Sequence, residues 1–357
     1  MLKFKVAPII LAFVIILTLF LSTSVRNVIE INYYENSIEN LIIFIGDGMG
    51  ENHIKAASVF AERNLSFEDF EEAGFIGTNS LSGITDSAAA ATAMATGNKV
   101  RNGDISRFAG QDLTTILEIA NTYNKKTGVI TSDKLYSATP SAFSSHANDR
   151  DDTAEIIQNQ ILSGVDLLIG EGLVVYTDYE TEIISNEYSF IKDKDDLSLT
   201  DSKILAALPA VEPLETATEE SAYLSDLVEF GIDFLTNDNG FVLIIEASDI
   251  DKRSHDNDLQ GMVYELMTLD SAVSVAREFA STREDTFIMV TADHETGGLS
   301  FENNDTFQAI IDTQDWSTTG HTSQNVPYYA SGYDISANYL ENTNIFLLCD
   351  YLVSKRH

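Results

Sequence analysis

The stretch LIIFIGDGMG, Leu41 to Gly50, decides how the rest of the chain is read. Its first six residues, Leu41 to Gly46, form an apolar run with no polar alternation, ending in a Gly-rich turn. Such a run suits a strand buried on both faces, the kind that parallel sheets contain. Asp47 stands immediately after it. Working outward, the same pattern returns in KTGVIT (Lys126 to Thr131), VDLLIGEG (Val165 to Gly172), FVLIIEA (Phe241 to Ala247) and TFIMVTADH (Thr286 to His294). FIGTNS reads as a further strand.

Helical patterns lie between these runs. SAAAATAMATG (Ser87 to Gly97) is a small-residue helix stopped by Gly97, and TAEIIQNQILSG (Thr153 to Gly164) is stopped by Gly164. TTILEIANTYN, SDLVEFGIDFL and ELMTLDSAVSVAREFAS add three more. Alternation of helices with short apolar strands predicts an α/β fold, a largely parallel central β-sheet with helices on both faces. The acidic stretch from about Tyr176 to Glu220 has the least pattern and reads as a surface insertion. No repeat or linker interrupts the remainder, so 25–357 reads as a single domain.

Of 357 residues, 44% are hydrophobic and 22% charged, the make-up of a globular chain. The charge is lopsided, with 21 Lys and Arg against 56 Asp and Glu, a net charge of −35. That surface repels nucleic acid and anionic membrane, which argues against either as a specific partner. Salt adaptation, where screening relieves self-repulsion, and a plain solubility surface both account for it. An anionic substrate would need local positive charge, and metal ions are the ready source.

At the N-terminus, Lys3 and Lys5 precede an apolar run from Val6 to Leu21 and then Ser22-Thr23-Ser24. This is the order of an export signal, so 1–24 reads as a segment that sends the protein out of the cytoplasm. The run is short of the roughly 20 residues a spanning helix needs. An uncleaved anchor is the alternative, and it alone would tie the chain to a membrane. Cys349 is the single cysteine, which excludes an intrachain disulfide, and its setting in IFLLCDYLV reads as buried.

Parallel sheets bind ligands beyond the carboxyl ends of their strands. Asp47, Glu246 and the pair Asp293-His294 stand at the ends of three predicted strands. One such carboxylate would be unremarked, but three imply a shared edge. Asp251 and His255 are four apart, so a helical turn would put them on one side, able to share a metal. Carboxylate and imidazole together suit zinc, and an all-oxygen set suits magnesium. His53, His146 and His357 lack comparable acidic company. Ser87 begins the alanine-rich helix, where free backbone N–H groups favour an anion. Either Asp86 or Ser87 caps that helix, or Ser87 is a nucleophile activated by metal.

The motifs FIGDGMG, TDSAAAATAMATG, ATPSAFSSHANDR, IEASDIDKRSH, TADHETGG and GHT, in this order from about Asn40 to Tyr351, resemble the alkaline phosphatase family. The resemblance implies hydrolysis of small phosphate monoesters through a phosphoserine at Ser87, with two zinc ions and one magnesium. It implies Asp251, His255 and His321 on the first zinc and Asp293 and His294 on the second. Asp47 would bridge the second zinc to magnesium, and Glu246 and Thr139 would complete the magnesium ligands. Arg150 would hold two phosphoryl oxygens, for which its fork is suited. Lys252 matches a substrate-side position that varies among relatives. A homodimer is also implied.

Two departures stand out. Ser137 occupies a place where relatives carry Asp or His beside the magnesium, which leaves that metal open. The segment between His294 and His321 is short, so the larger surface domain of some relatives is expected to be absent. Ser87 is followed by Ala88-Ala89-Ala90, which excludes a sulfatase-type nucleophile motif. A phosphodiesterase or phosphonate hydrolase, or an exported metal- or phosphate-binding protein without catalysis, are the alternatives.

Overall fold

The computed structural model describes residues 38–211, 223–302 and 305–354. The export-type segment 1–24, the end of the acidic stretch and His357 lie outside the described residues.

Ten strands form one sheet: β1 (Asn40–Gly46), β2 (Glu72–Gly77), β3 (Lys126–Lys134), β4 (Leu167–Glu171), β5 (Ser189–Ile191), β6 (Ile204–Leu208), β7 (Phe241–Ala247), β8 (Thr286–Thr291), β9 (Val326–Ser331) and β10 (Tyr339–Glu341). Their order across the sheet is β10-β2-β9-β8-β1-β7-β3-β4-β6-β5. Only β9 runs against its neighbours; the other pairings are parallel. The central strand β1 is buried along its whole length, as its unbroken apolar run requires.

The helices that matter to the site are α1 (Glu51–Ala61), α2 (Ser87–Thr96), α3 (Ala138–Ser144), α4 (Leu224–Leu235), α5 (Asp249–His255), α6 (Leu259–Ala280) and α7 (Thr343–Ser354). They pack in two groups, α1, α4, α5 and α6 together and α2, α3 and α7 together. Every residue of α2 is buried, which a helix of alanine, serine and threonine with one methionine tolerates because small side chains let neighbours approach all round. Asp86 caps it by accepting the Ala89 N–H at 2.9 Å. Cys349 lies buried in α7, and burial pushes its thiol up to about 12.

The acidic stretch after Tyr176 is not a surface insertion. It supplies β5 and β6, which extend the sheet beyond β4, and all five residues of β6 are buried. The apolar core of that stretch, ILAAL, is short and flanked by charge, so its period is hidden in the sequence although its burial is complete.

Candidate metal centre

Register carries the functional residues to one edge. Ile45 of β1 pairs with Glu246 of β7 and with Thr291 of β8, and Thr131 of β3 pairs with Glu246. Asp47, Glu246 and Asp293-His294 therefore leave the sheet side by side, as strand-end positions in a parallel sheet should. Gly48 turns the chain after β1 with φ +74°, and a Cβ there would meet the Asp251 Cα at 2.8 Å. Glycine is thus what lets the turn press against α5. The Gly48 N–H in turn donates to Asp293 Oδ1 at 3.1 Å.

The first group of candidate ligands is Asp251, His294 and His321, and the second is Asp47, Asp293 and His294; within each, the atoms able to ligate lie within 4.8 Å of one another. His294 Nε2 is 3.2 Å from Asp293 Oδ2 and 3.4 Å from Asp47 Oδ1. The rings of His294 and His321 stack at 3.6 Å, and those of His255 and His321 lie 5.1 Å apart. On α5 the four-residue spacing puts His255 Nε2 3.2 Å from Asp251 Oδ2. That contact raises the imidazole pKa to about 9, while burial pulls the other way. Burial opposes ionisation of Asp251, yet its hydrogen bond to His255 and the charge of His294 hold the carboxyl well below its usual range.

Hydrogen bonds behind the ligands set their rings. His321 Nδ1 donates to the Thr85 carbonyl at 2.8 Å, and His255 Nδ1 to the Thr319 carbonyl at 2.5 Å. A carbonyl can only accept, so each ring keeps its proton on Nδ1 and turns Nε2 toward the centre. Thr296 Oγ1 donates to Asp251 Oδ1 at 2.5 Å and lies 3.2 Å from His294 Nδ1. Burial lowers the pKa of His294, against the pull of the Asp293 charge, and metal ligation needs a neutral ring.

The arrangement fits metal ions on its own evidence. Asp47 Oδ1, Asp293 Oδ2 and Thr139 Oγ1 are buried and have no hydrogen-bond partner. Burial, then the charges of Asp293, Asp251 and Glu246, raise the Asp47 carboxyl well above its ordinary value. Glu246 is pushed up to about 8, chiefly by burial and then by the charge of Asp133, against a hydrogen bond from Thr131. Crowded, open carboxylate atoms are costly unless a cation joins them.

Ser87 Oγ lies 3.3 Å from His294 Nε2 at the N-terminus of α2. Arg150 stands beside that N-terminus because its Nη1 meets Asp86 Oδ2 at 3.2 Å. Lys252 is half exposed and held by Asp249 at 2.7 Å and Asp133 at 2.9 Å. Ser137 Oγ donates to the other oxygen of Asp133 at 2.7 Å. A carboxylate is thus present beside Ser137, supplied from position 133.

Sequence reasoning missed Thr85, Thr131, Asp133, Thr296 and Thr319 as supporting residues. Several act through carbonyls or hydroxyls whose partners are distant in the chain, and no local spacing marks them. It also passed over two histidines as lacking acidic company. His146 Nε2 is 3.1 Å from Glu118, and His53 Nε2 is 3.9 Å from Glu295. Folding supplies both carboxylates from other segments.

Fold and site together define an α/β metal-binding protein with a serine at the rim of its metal centre. The chain belongs to the alkaline phosphatase family, whose model, described as "Alkaline phosphatase", matches residues 38–174 and 178–343. It is 31% identical over 291 residues to alkaline phosphatase 3 of Bacillus subtilis, covering 74% of this chain but only 63% of that protein. It thus spans less than two thirds of that relative. It is 27% identical over 327 residues to streptomycin-6-phosphate phosphatase of Streptomyces griseus, covering 71% of this chain and 73% of the relative. The structure of alkaline phosphatase from the Antarctic bacterium TAB5 superposes with a TM-score of 0.82 at 27% identity, covering 90% of this chain and 99% of that one.

Proposed function

We propose that the chain is a metal-dependent phosphomonoesterase that works through a phosphoserine at Ser87. The observation that carries this is the placement of Ser87 Oγ, 3.3 Å from His294 Nε2, against a cluster of buried ligand atoms left open. Asp251, His255 and His321 would hold one zinc, and Asp293 and His294 the second, since imidazole with carboxylate suits that ion. Asp47, Glu246 and Thr139 offer oxygen alone, which suits magnesium. A variant of the Antarctic enzyme has been solved with magnesium in its M3 site. When bound, the ions supply Lewis acidity and lower the pKa of a hydroxyl or water beside them.

The protein's own groups account for the rest. Ser87 attacks phosphorus in line, its Oγ–P bond forming as the ester P–O bond breaks and the alcohol departs. Water then breaks the Oγ–P bond, releasing phosphate and restoring the serine. The N-terminus of α2 favours the phosphoryl anion at this place. Arg150, steadied by Asp86, presents a planar fork to two phosphoryl oxygens. Lys252 lends positive charge at the periphery, restrained by two carboxylates. The order of charged, apolar and small residues in 1–24 supports action outside the cytoplasm.

Purified protein assayed on p-nitrophenyl phosphate, bis-p-nitrophenyl phosphate and p-nitrophenyl sulfate tests this reading. The monoester should be turned over fastest, chelation should abolish activity, and Ser87→Ala should lower it by at least about 10³-fold. Faster turnover of the diester, or full activity in Ser87→Ala, would sink it.

A further inference from the structure

Glu295 directly follows His294 and is buried at 3% exposure, yet the steps above give it no part. Its Oε1 accepts the Gly298 N–H at 2.9 Å, closing the turn through Gly297 and Gly298. Its Oε2 accepts the hydroxyl of Thr322, with Gln324 Nε2 at 3.5 Å. Thr322 is the residue after His321, and the backbone pairs Glu295 with Thr322 and Thr296 with His321. Two consecutive side chains therefore divide the labour. Thr296 faces Asp251 and His294, and Glu295 faces the strand that carries His321.

The back of Glu295 is shaped just as closely. A Cβ on Gly50 would meet Glu295 Cγ at 2.4 Å, so the start of α1 admits the carboxylate only because glycine stands there. His53 Nδ1 accepts the Gly50 N–H at 2.7 Å, which leaves the proton on Nε2, the atom that faces Ser254 Oγ and Glu295. Burial lowers the His53 pKa to about 4, so this neighbour is neutral.

We propose that Glu295 is a positioning residue that fixes His321 in the metal centre by holding Thr322. The proposal rests on the zinc reading above. Its physical basis is that a ligand on the far side of a loop is only as well placed as the strand that carries it. His321 returns to the centre after the segment 297–320, and the two-residue ladder with Glu295 and Thr296 is short. The bond from the Thr322 hydroxyl to the Glu295 carboxyl stiffens that ladder one residue from the ligand.

The test uses the full chain as wild type, Thr322→Val, Glu295→Ala and Glu295→Gln. Each is stripped, checked for folding by circular dichroism, and titrated with Zn²⁺ against a chromophoric chelator. Co²⁺ substitution, read by its visible bands, reports the geometry at each site. In Thr322→Val and Glu295→Ala one metal equivalent should weaken about 10–100-fold, the usual effect of losing the partner behind a ligand. The cobalt bands of that site should change while the other tight equivalent keeps its affinity. Glu295→Gln still accepts from Gly298 and can donate to the Thr322 hydroxyl, so it should stay close to wild type.

Unchanged affinities and bands in folded Thr322→Val and Glu295→Ala would overturn the proposal, even with a lower melting temperature. If Glu295→Ala does not fold, Thr322→Val decides, since it exchanges one hydroxyl for a methyl. A wild type that binds neither zinc nor cobalt would sink the zinc reading and this proposal with it. A wild type that binds them like its variants sinks only the role of Glu295.

Discussion

The two ends of the central sheet bury polar groups alike but treat them in opposite ways. At the amino ends of the strands, Lys125 Nζ donates to the carbonyls of Glu39 and Asn239 at 2.8 Å and meets the Glu39 carboxylate at 3.1 Å. Asn40 beside it donates to Asp285 and Thr286. At the carboxyl ends, Asp47 Oδ1, Asp293 Oδ2 and Thr139 Oγ1 are buried without a hydrogen bond of good geometry, the two carboxylate atoms lying 3.4 and 3.2 Å from His294 Nε2. The first end is closed by the chain itself and serves stability. The second is left open, which is costly in the bare protein and useful once a cation arrives. Burial alone does not mark the site; crowded carboxylate and imidazole ligand atoms do.

The sharpest way to break this contrast is Asp47→Asn. On the proposed reading it removes a ligand and should lower phosphomonoesterase activity by about 10²-fold or more. In metal-free protein it should raise the melting temperature, because one of a set of mutually repelling carboxylates is gone. In metal-loaded protein it should lower it. Scanning calorimetry with and without chelator reads both signs. A variant that destabilises both forms equally would show that the open edge stores no repulsion.

Lys125→Met tests the closed end. It leaves two carbonyls without their donor and should destabilise by about 1–3 kcal/mol for each group left unpaired, read by urea unfolding. Activity per folded molecule and metal content should not move. A loss of metal would mean that the two ends are coupled through the strands rather than independent.

The smallest effect concerns a pair closed by tertiary contact, His146 with Glu118. Burial opposes charging of both, but their hydrogen bond raises the pKa of His146 above 6.5 and lowers that of Glu118 below 4.5. The Glu118 contribution is present above its unfolded pKa and lost as pH falls through the folded one. The His146 contribution is full below its unfolded pKa and lost as pH rises through its raised folded one. Wild type should therefore exceed His146→Gln in stability most at about pH 5 to 6, with the gap closing on either side. A gap that widens toward alkaline pH would contradict the pairing.

Much of the fold could be read because most central strands carry an apolar run. β5 and β6 could not, because ILAAL is brief and sits in an acidic setting that masks it. Among candidate site residues, Asp251 and His255 were visible through their spacing on one helix turn, and Asp47 through its position after β1. Asp133 was not, since its value lies in meeting Lys252 and Ser137. Thr296 and Glu295 are plain strand residues until the ladder with His321 and Thr322 forms.

By itself the sequence determined the apolar strands, the helices between them and the residue types at the strand ends, because periodicity and side-chain chemistry are local. Which carboxylates share an edge, which nitrogen of each histidine faces inward and which buried atoms remain open were decided by tertiary structure alone. Those depend on distances set by sheet register and helix packing, between residues that the chain itself keeps far apart.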